Sequence, residues 1–260
     1  MSHTGSPLSP SAEALSSEAV GLRVQTAVLL PGTGSDAHFV DTAFGPELRR
    51  RGIAAIAVDP DPRAVIAGYV AALDEAAARG PILVGGVSLG AAVALRWAHD
   101  NPTRTFGVLA ALPAWTGDPA EAPAAASARW TASELRAHGL AAVTAAMAAS
   151  SPAWLARELT RSWHAQWPDL PAALDEAARY RAPDVEELRA VRTPVGITAA
   201  VDDAVHPVEV ARQWARELPK AELTTVTLAR VGEDPAVLGR SCCAALDRLV
   251  PAETGRSSGS

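Results

Sequence analysis

Pro81-Ile82-Leu83-Val84-Gly85-Gly86-Val87-Ser88-Leu89-Gly90, followed by Ala91-Ala92-Val93-Ala94-Leu95-Arg96-Trp97-Ala98-His99, is the stretch that decides the fold of this chain. An apolar run of strand length leads into it, and an alanine-rich run of helix length leads out. Between them, Gly86-Val87-Ser88-Leu89-Gly90 has the Gly-x-Ser-x-Gly pattern. A strand that reverses into a helix within a few atoms forces the central serine into a strained backbone conformation, and larger flanking residues would block the turn. The pattern therefore predicts a serine hydroxyl presented at the end of a buried strand. The same pattern could also serve as a tight-packing turn without chemistry.

Upstream, Val24 to Leu30 is a mostly apolar run ending in the tight loop Pro31-Gly32-Thr33-Gly34. A helix is expected from about Asp41 to Arg51, a short strand from Ile53 to Val58, and a helix from Arg63 to Arg79 that stops at Gly80. Downstream, Thr105 to Leu112 reads as another buried strand. From Pro113 to Arg192 the rhythm changes to helical, alanine-rich sequence carrying Trp115, Trp130, Trp154, Trp163 and Trp167. Thr193 to Val201 then reads as a strand, Val208 to Leu218 as a helix, Leu223 to Leu228 as a last strand and Pro235 to Leu249 as a last helix. Continuous apolar strands alternating with helices predict an α/β fold, a mostly parallel sheet with helices on both faces. The expected organisation is a disordered leader at 1–23, a core built from 24–112 and 193–250, a helical lid at 113–192 over the carboxyl ends of the strands, and a disordered tail at 251–260.

Composition narrows the function. The chain has 260 residues, 48% of them hydrophobic, enough for one α/β domain with an insertion. Its formal charge of −6, from 23 basic and 29 acidic residues without a basic block, gives nucleic-acid binding little support. No run is long and apolar enough for a membrane span, and the first residues lack a secretion-signal pattern. Adjacent Cys242 and Cys243 read as buried small residues on a helix, and no Cys/His spacing suggests a metal. The expectation is a cytoplasmic protein acting on a small molecule, without metal or cofactor and with neither nucleic acid nor membrane as partner.

With these motifs in order, residues 24 to 250 resemble the α/β-hydrolase superfamily. Pro31-Gly32-Thr33-Gly34 stands where those proteins have their oxyanion loop, with Pro31 in a position many members fill with histidine. The resemblance implies that the backbone amides of Thr33 and Leu89 hold a developing oxyanion, a task that does not depend on the side chain. It also implies that Gly34, His38, Phe39 and Trp115 border a substrate pocket. Ala200-Val201-Asp202-Asp203-Ala204-Val205-His206-Pro207 resembles the acid loop, in which Asp203, four residues before Pro207, orients the catalytic base and Asp202 ranks second. These aspartates could alternatively just begin the next helix, favoured by its dipole.

The pattern breaks at the base. The resemblance places a histidine after the last strand, but Ala229-Arg230-Val231-Gly232-Glu233-Asp234-Pro235 has Glu233 in that slot, and no histidine comes after His206. A serine needs an adjacent base to attack at neutral pH. His206, His38 and Glu233 are the candidates, His206 first, and a chain without any base is the remaining reading. Glu233 is expected to turn away from the site, leaving room for His206. The implied activity is hydrolysis of an ester or thioester of an apolar or aromatic acyl compound. The alternatives are a cofactor-free lyase, isomerase or cyclase in the same pocket, or a binding protein without turnover.

Overall fold

A computed structural model describes residues 24–250. The expectations for 1–23 and 251–260 lie outside the described residues. The elements are, in order, β1 (Thr26–Leu30), α1 (Ala37–Arg50), β2 (Ala54–Ala57), α2 (Val65–Ala77), β3 (Ile82–Val87), α3 (Leu89–Asp100), β4 (Thr105–Ala111), α4 (Pro123–Ser150), α5 (Ala153–Gln166), α6 (Leu170–Arg179), α7 (Val185–Ala190), β5 (Val195–Ala200), α8 (Val208–Glu217), β6 (Ala221–Val226), α9 (Leu228–Glu233) and α10 (Ala236–Leu249). The strands form one sheet in the order β2-β1-β3-β4-β5-β6, and every neighbouring pair is parallel.

Both faces of this sheet are covered, which is why its central strands read as unbroken apolar runs. Successive residues of β1 serve opposite cores. Ala27 and Leu29 pack with Phe44, Leu109 and Leu246 beneath α1 and α10, while Val28 and Leu30 pack with Tyr69, Leu95 and Trp214 beneath α2, α3 and α8. The chain runs outward from β1 to β2 and then returns to β3 on the other side of β1. The helices leaving β1 and β3 consequently lie on opposite faces, opening a crevice at the carboxyl ends of those two strands. Pro31 to Asp36 leaves β1 there, and Ser88 ends β3 there.

The helices between β4 and β5 gather over the same end. Arg161, Ser162 and Gln166 of α5 bond to Asp36, Gly34 and Ser35 beyond β1. The Glu176 carboxylate of α6 accepts the first amides of α2, those of Val65 and Ile66, at 2.9 and 3.1 Å. Within this segment α4 is broken at Gly139, where φ is +76°. Among the described residues no helix is long and apolar enough to cross a membrane.

Two expectations at the level of elements need correction. Helix α1 starts at Ala37, four residues before Asp41, because the Asp36 side chain accepts the Phe39 amide at 3.1 Å and caps it. The last strand ends at Val226, and the chain then enters the short helix α9 instead of a loop. Thr227 caps α9 by accepting the Arg230 amide, and Asp202 accepts the Leu228 amide at 2.8 Å.

Candidate active site

Ser88 caps α3 with φ 55° and ψ −115°, a conformation that a non-glycine residue holds only when its surroundings impose it. The surroundings are backbone. A Cβ on Gly90 would lie 2.6 Å from the Leu30 carbonyl carbon and 2.7 Å from the Pro31 oxygen, and one on Gly86 would lie 2.7 Å from the Gly90 carbonyl carbon. Both glycines let β1, β3 and α3 approach one another at the turn, and the Ser88 amide is fastened to the Ala111 carbonyl at 2.9 Å. The serine itself is only 5% exposed.

His206 faces it from the loop after β5. Its Nε2 stands 3.0 Å from Ser88 Oγ and its Nδ1 2.8 Å from Asp203 Oδ2. The other carboxylate oxygen of Asp203 accepts the amides of Val205 at 2.8 Å and His206 at 3.1 Å. Burial works against ionisation of Asp203, but the His206 ring and these two amides outweigh it and hold the carboxyl below its ordinary value. An ionised carboxylate can only accept, so Nδ1 carries the imidazole proton and Nε2 presents a lone pair to the serine hydroxyl. That is the protonation state a general base requires.

The loop that follows β1, Pro31-Gly32-Thr33-Gly34, lies against the serine. A Cβ on Gly32 would come 3.3 Å from Ser88 Cβ. Leu89 is the first residue of α3, so its amide has no intrahelical carbonyl and sits at the positive end of the helix dipole. The loop's outward-facing groups are individually tied. The Pro31 carbonyl accepts the buried Tyr69 hydroxyl at 3.2 Å, the Gly34 carbonyl accepts Ser162 Oγ, and the Ser35 carbonyl accepts Gln166 Nε2 at 3.0 Å. Arg161 grips the Asp36 carboxylate with two bonds, at 2.8 and 3.0 Å. None of Tyr69, Arg161, Ser162 or Gln166 belongs to a motif. Their contacts to the loop join positions 38 to 131 residues apart, which no local pattern can signal.

The other candidates separate. Glu233 is exposed and paired with Arg230 at 2.7 Å on the surface of α9. His38 is exposed on the first turn of α1 and is not enclosed beneath the helical segment, because the helix that begins at Ala37 turns it outward. Trp115 is buried as an anchor of the helical segment, with its Nε1 donating to the Tyr180 carbonyl at 3.1 Å. Gly34, with φ +69°, packs against the ring of buried Trp163. Phe39 stacks on Trp154 with centroids 6.3 Å apart, and the same Trp154 closes over Gly232. An aromatic pair thus occupies the neighbourhood of α9, on which the position that the resemblance gave to a histidine falls. Asp202 is spent on the α9 amide. A cavity of about 140 Å³ lined by Val24, Ile53, Phe106 and Leu246 lies at the amino ends of the strands, remote from Ser88.

No protein-family profile and no curated protein matches this sequence. Solved structures do. Rv0554 from Mycobacterium tuberculosis superposes with a TM-score of 0.66 at 17% identity, over 88% of this chain and 92% of that one. A thermophilic esterase from Thermogutta terrifontis gives 0.67 at 19% identity, over 86% and 90%. MenH from S. aureus gives 0.66 at 16% identity, over 88% and 96%. Sheet order, crossover pattern and these superpositions agree: the chain has the α/β-hydrolase fold.

Proposed function

We propose that this protein is a serine-dependent hydrolase of small acyl compounds, an ester or thioester, with Ser88 as nucleophile, His206 as base and Asp203 as the group that orients the base. The observation that carries this reading is the continuous hydrogen-bonded line from Asp203 through His206 to Ser88. Ser88 Oγ attacks the acyl carbon while its proton passes to His206 Nε2. The carbonyl oxygen, now negative, is received by the Thr33 and Leu89 amides. His206 returns its proton to the departing alcohol or thiol, and a water activated by the same imidazole releases the acid. Asp203, held ionised, stabilises the imidazolium in both halves. Residues 113–192 act as a lid, and the Phe39–Trp154 pair favours an apolar or aromatic acyl group. An esterase is among the structures of similar fold.

The test is a serine-directed fluorophosphonate together with short p-nitrophenyl esters. One adduct on Ser88 and ester turnover, both abolished in Ser88→Ala, are expected. A wild-type protein that forms no adduct and matches Ser88→Ala on every ester overturns the hydrolytic reading and turns attention to cofactor-free, non-hydrolytic chemistry in the same site.

A further inference from the structure

A line of hydrogen bonds runs from Ser162 of α5 to the peptide that carries the Thr33 amide. The Gly32–Thr33 peptide is trans, so the Thr33 N–H points opposite to the Gly32 carbonyl. That carbonyl accepts the Ser35 N–H at 3.0 Å. The Ser35 N–H belongs to the next link, the trans Gly34–Ser35 peptide, whose carbonyl accepts the Ser162 hydroxyl. Two rigid peptide planes therefore connect a side chain of α5 to the Thr33 amide, the donor proposed above for the oxyanion. Each donor in such a line also polarises the next.

From this line we infer that Ser162 is a positioning residue for the oxyanion hole, coupling the seating of α5 on the loop to the orientation of the Thr33 amide. The inference rests on the hydrolase reading above. Ser162 is 1% exposed, so water does not readily take over its role. Its hydroxyl also has an alternative acceptor in its own helix, the Leu159 carbonyl at 3.4 Å, to which it turns when α5 lifts from the loop. Gln166 and Arg161 fasten the next two residues and hold α5 in place beside Ser162. A raised lid leaves the oxyanion donor unaligned, and a seated lid aligns it. Because the oxyanion exists only in the transition state, the coupling acts on kcat and leaves substrate binding nearly alone.

The experiment compares wild type, Ser162→Ala and Ser162→Cys on a p-nitrophenyl ester and with a trifluoromethyl ketone, which forms a tetrahedral adduct. For Ser162→Ala, kcat falls about tenfold, as expected when a hydrogen-bonded donor is misaligned but not removed. KM and melting temperature stay near wild type, and affinity for the ketone falls by the same factor as kcat. Ser162→Cys, whose thiol is a weaker donor of similar size, falls between the two. A reactive wild type with Ser162→Ala equal to it in kcat, or with a loss confined to KM, overturns the positioning role alone. A wild type inert toward both the ester and the fluorophosphonate overturns the hydrolase reading, and the positioning role with it.

Discussion

His206 Nε2 stands 3.0 Å from Ser88 Oγ across 118 positions of sequence, while its Nδ1 meets Asp203, three positions away, at 2.8 Å. The proposed base and its orienting acid therefore share one turn after β5. Helix α9, which follows the last strand where the resemblance placed the base, contributes Gly232 under Trp154 and an exposed Glu233. Such a turn holds the imidazole locally, and only the β3–β4–β5 order brings it to the serine.

His206→Ala and Ser88→Ala are each expected to lower kcat on esters by about 10³-fold or more, and the double variant by no more than either single one, because residues that act as a unit are not additive. Asp203→Asn should also fall by orders of magnitude, since a neutral amide does not hold the proton on Nδ1. Steady-state kinetics of the four variants checks this. Additive losses would show that the line does not work as a unit.

Glu233→Ala and Glu233→His are expected to leave ester turnover within about twofold of wild type, the size of effect expected when an exposed ion pair is lost. The side chain is 62% exposed and bonds Arg230. A histidine placed there points to solvent and cannot take over in His206→Ala. Restored turnover in the double variant would refute the outward placement.

Gly90→Ala is expected to cost about 3 kcal/mol or more, at the upper end of overpacking losses, because the new Cβ meets backbone that cannot rotate away. Urea denaturation checks the magnitude. Activity should fall further than stability, since the same overlap moves Ser88.

Trp154→Ala is expected to raise KM for aromatic esters more than for acetates, by opening the face that Trp154 shares with Phe39. The sheet should keep its melting temperature to within a few degrees. Equal KM changes across acyl groups would remove this pair from substrate selection.

The acid limb of stability is expected to owe part of its shape to Glu47. Its carboxylate is buried under Arg50 and Arg51, whose hydrogen bonds, Arg50 first, bring its pKa from 4.5 down to about 2 against the opposing effect of burial. A depressed pKa contributes stability above the unfolded value that is lost as pH falls through the folded one. Wild type should therefore lose stability between pH 4.5 and about 2. Glu47→Gln should be less stable at neutral pH and shallower across that window, as thermal melts at several pH values will show.

The local sequence of residues 24–112 already determined the order of strand, turn and helix, because an apolar run and a glycine on each side of Ser88 are short-range facts about sterics and burial, but the start of α1 at Ala37 rested on the Asp36 cap. It also determined that Asp203 and His206 can meet, since three positions in a turn bring side chains together. Where local signals were weak, boundaries moved: Thr227 could cap a helix or end a strand, and the α9 amide bonded to Asp202 decided for the helix. Only the tertiary structure decided that His206, and neither His38 nor Glu233, is hydrogen-bonded to Ser88, and that Ser162, Gln166 and Arg161 hold the loop after β1 at Gly34, Ser35 and Asp36. Those contacts are made across the sheet and between an inserted helix and a core loop. Their distances come from strand order and from how α5 packs, and neither leaves a periodic trace along the chain.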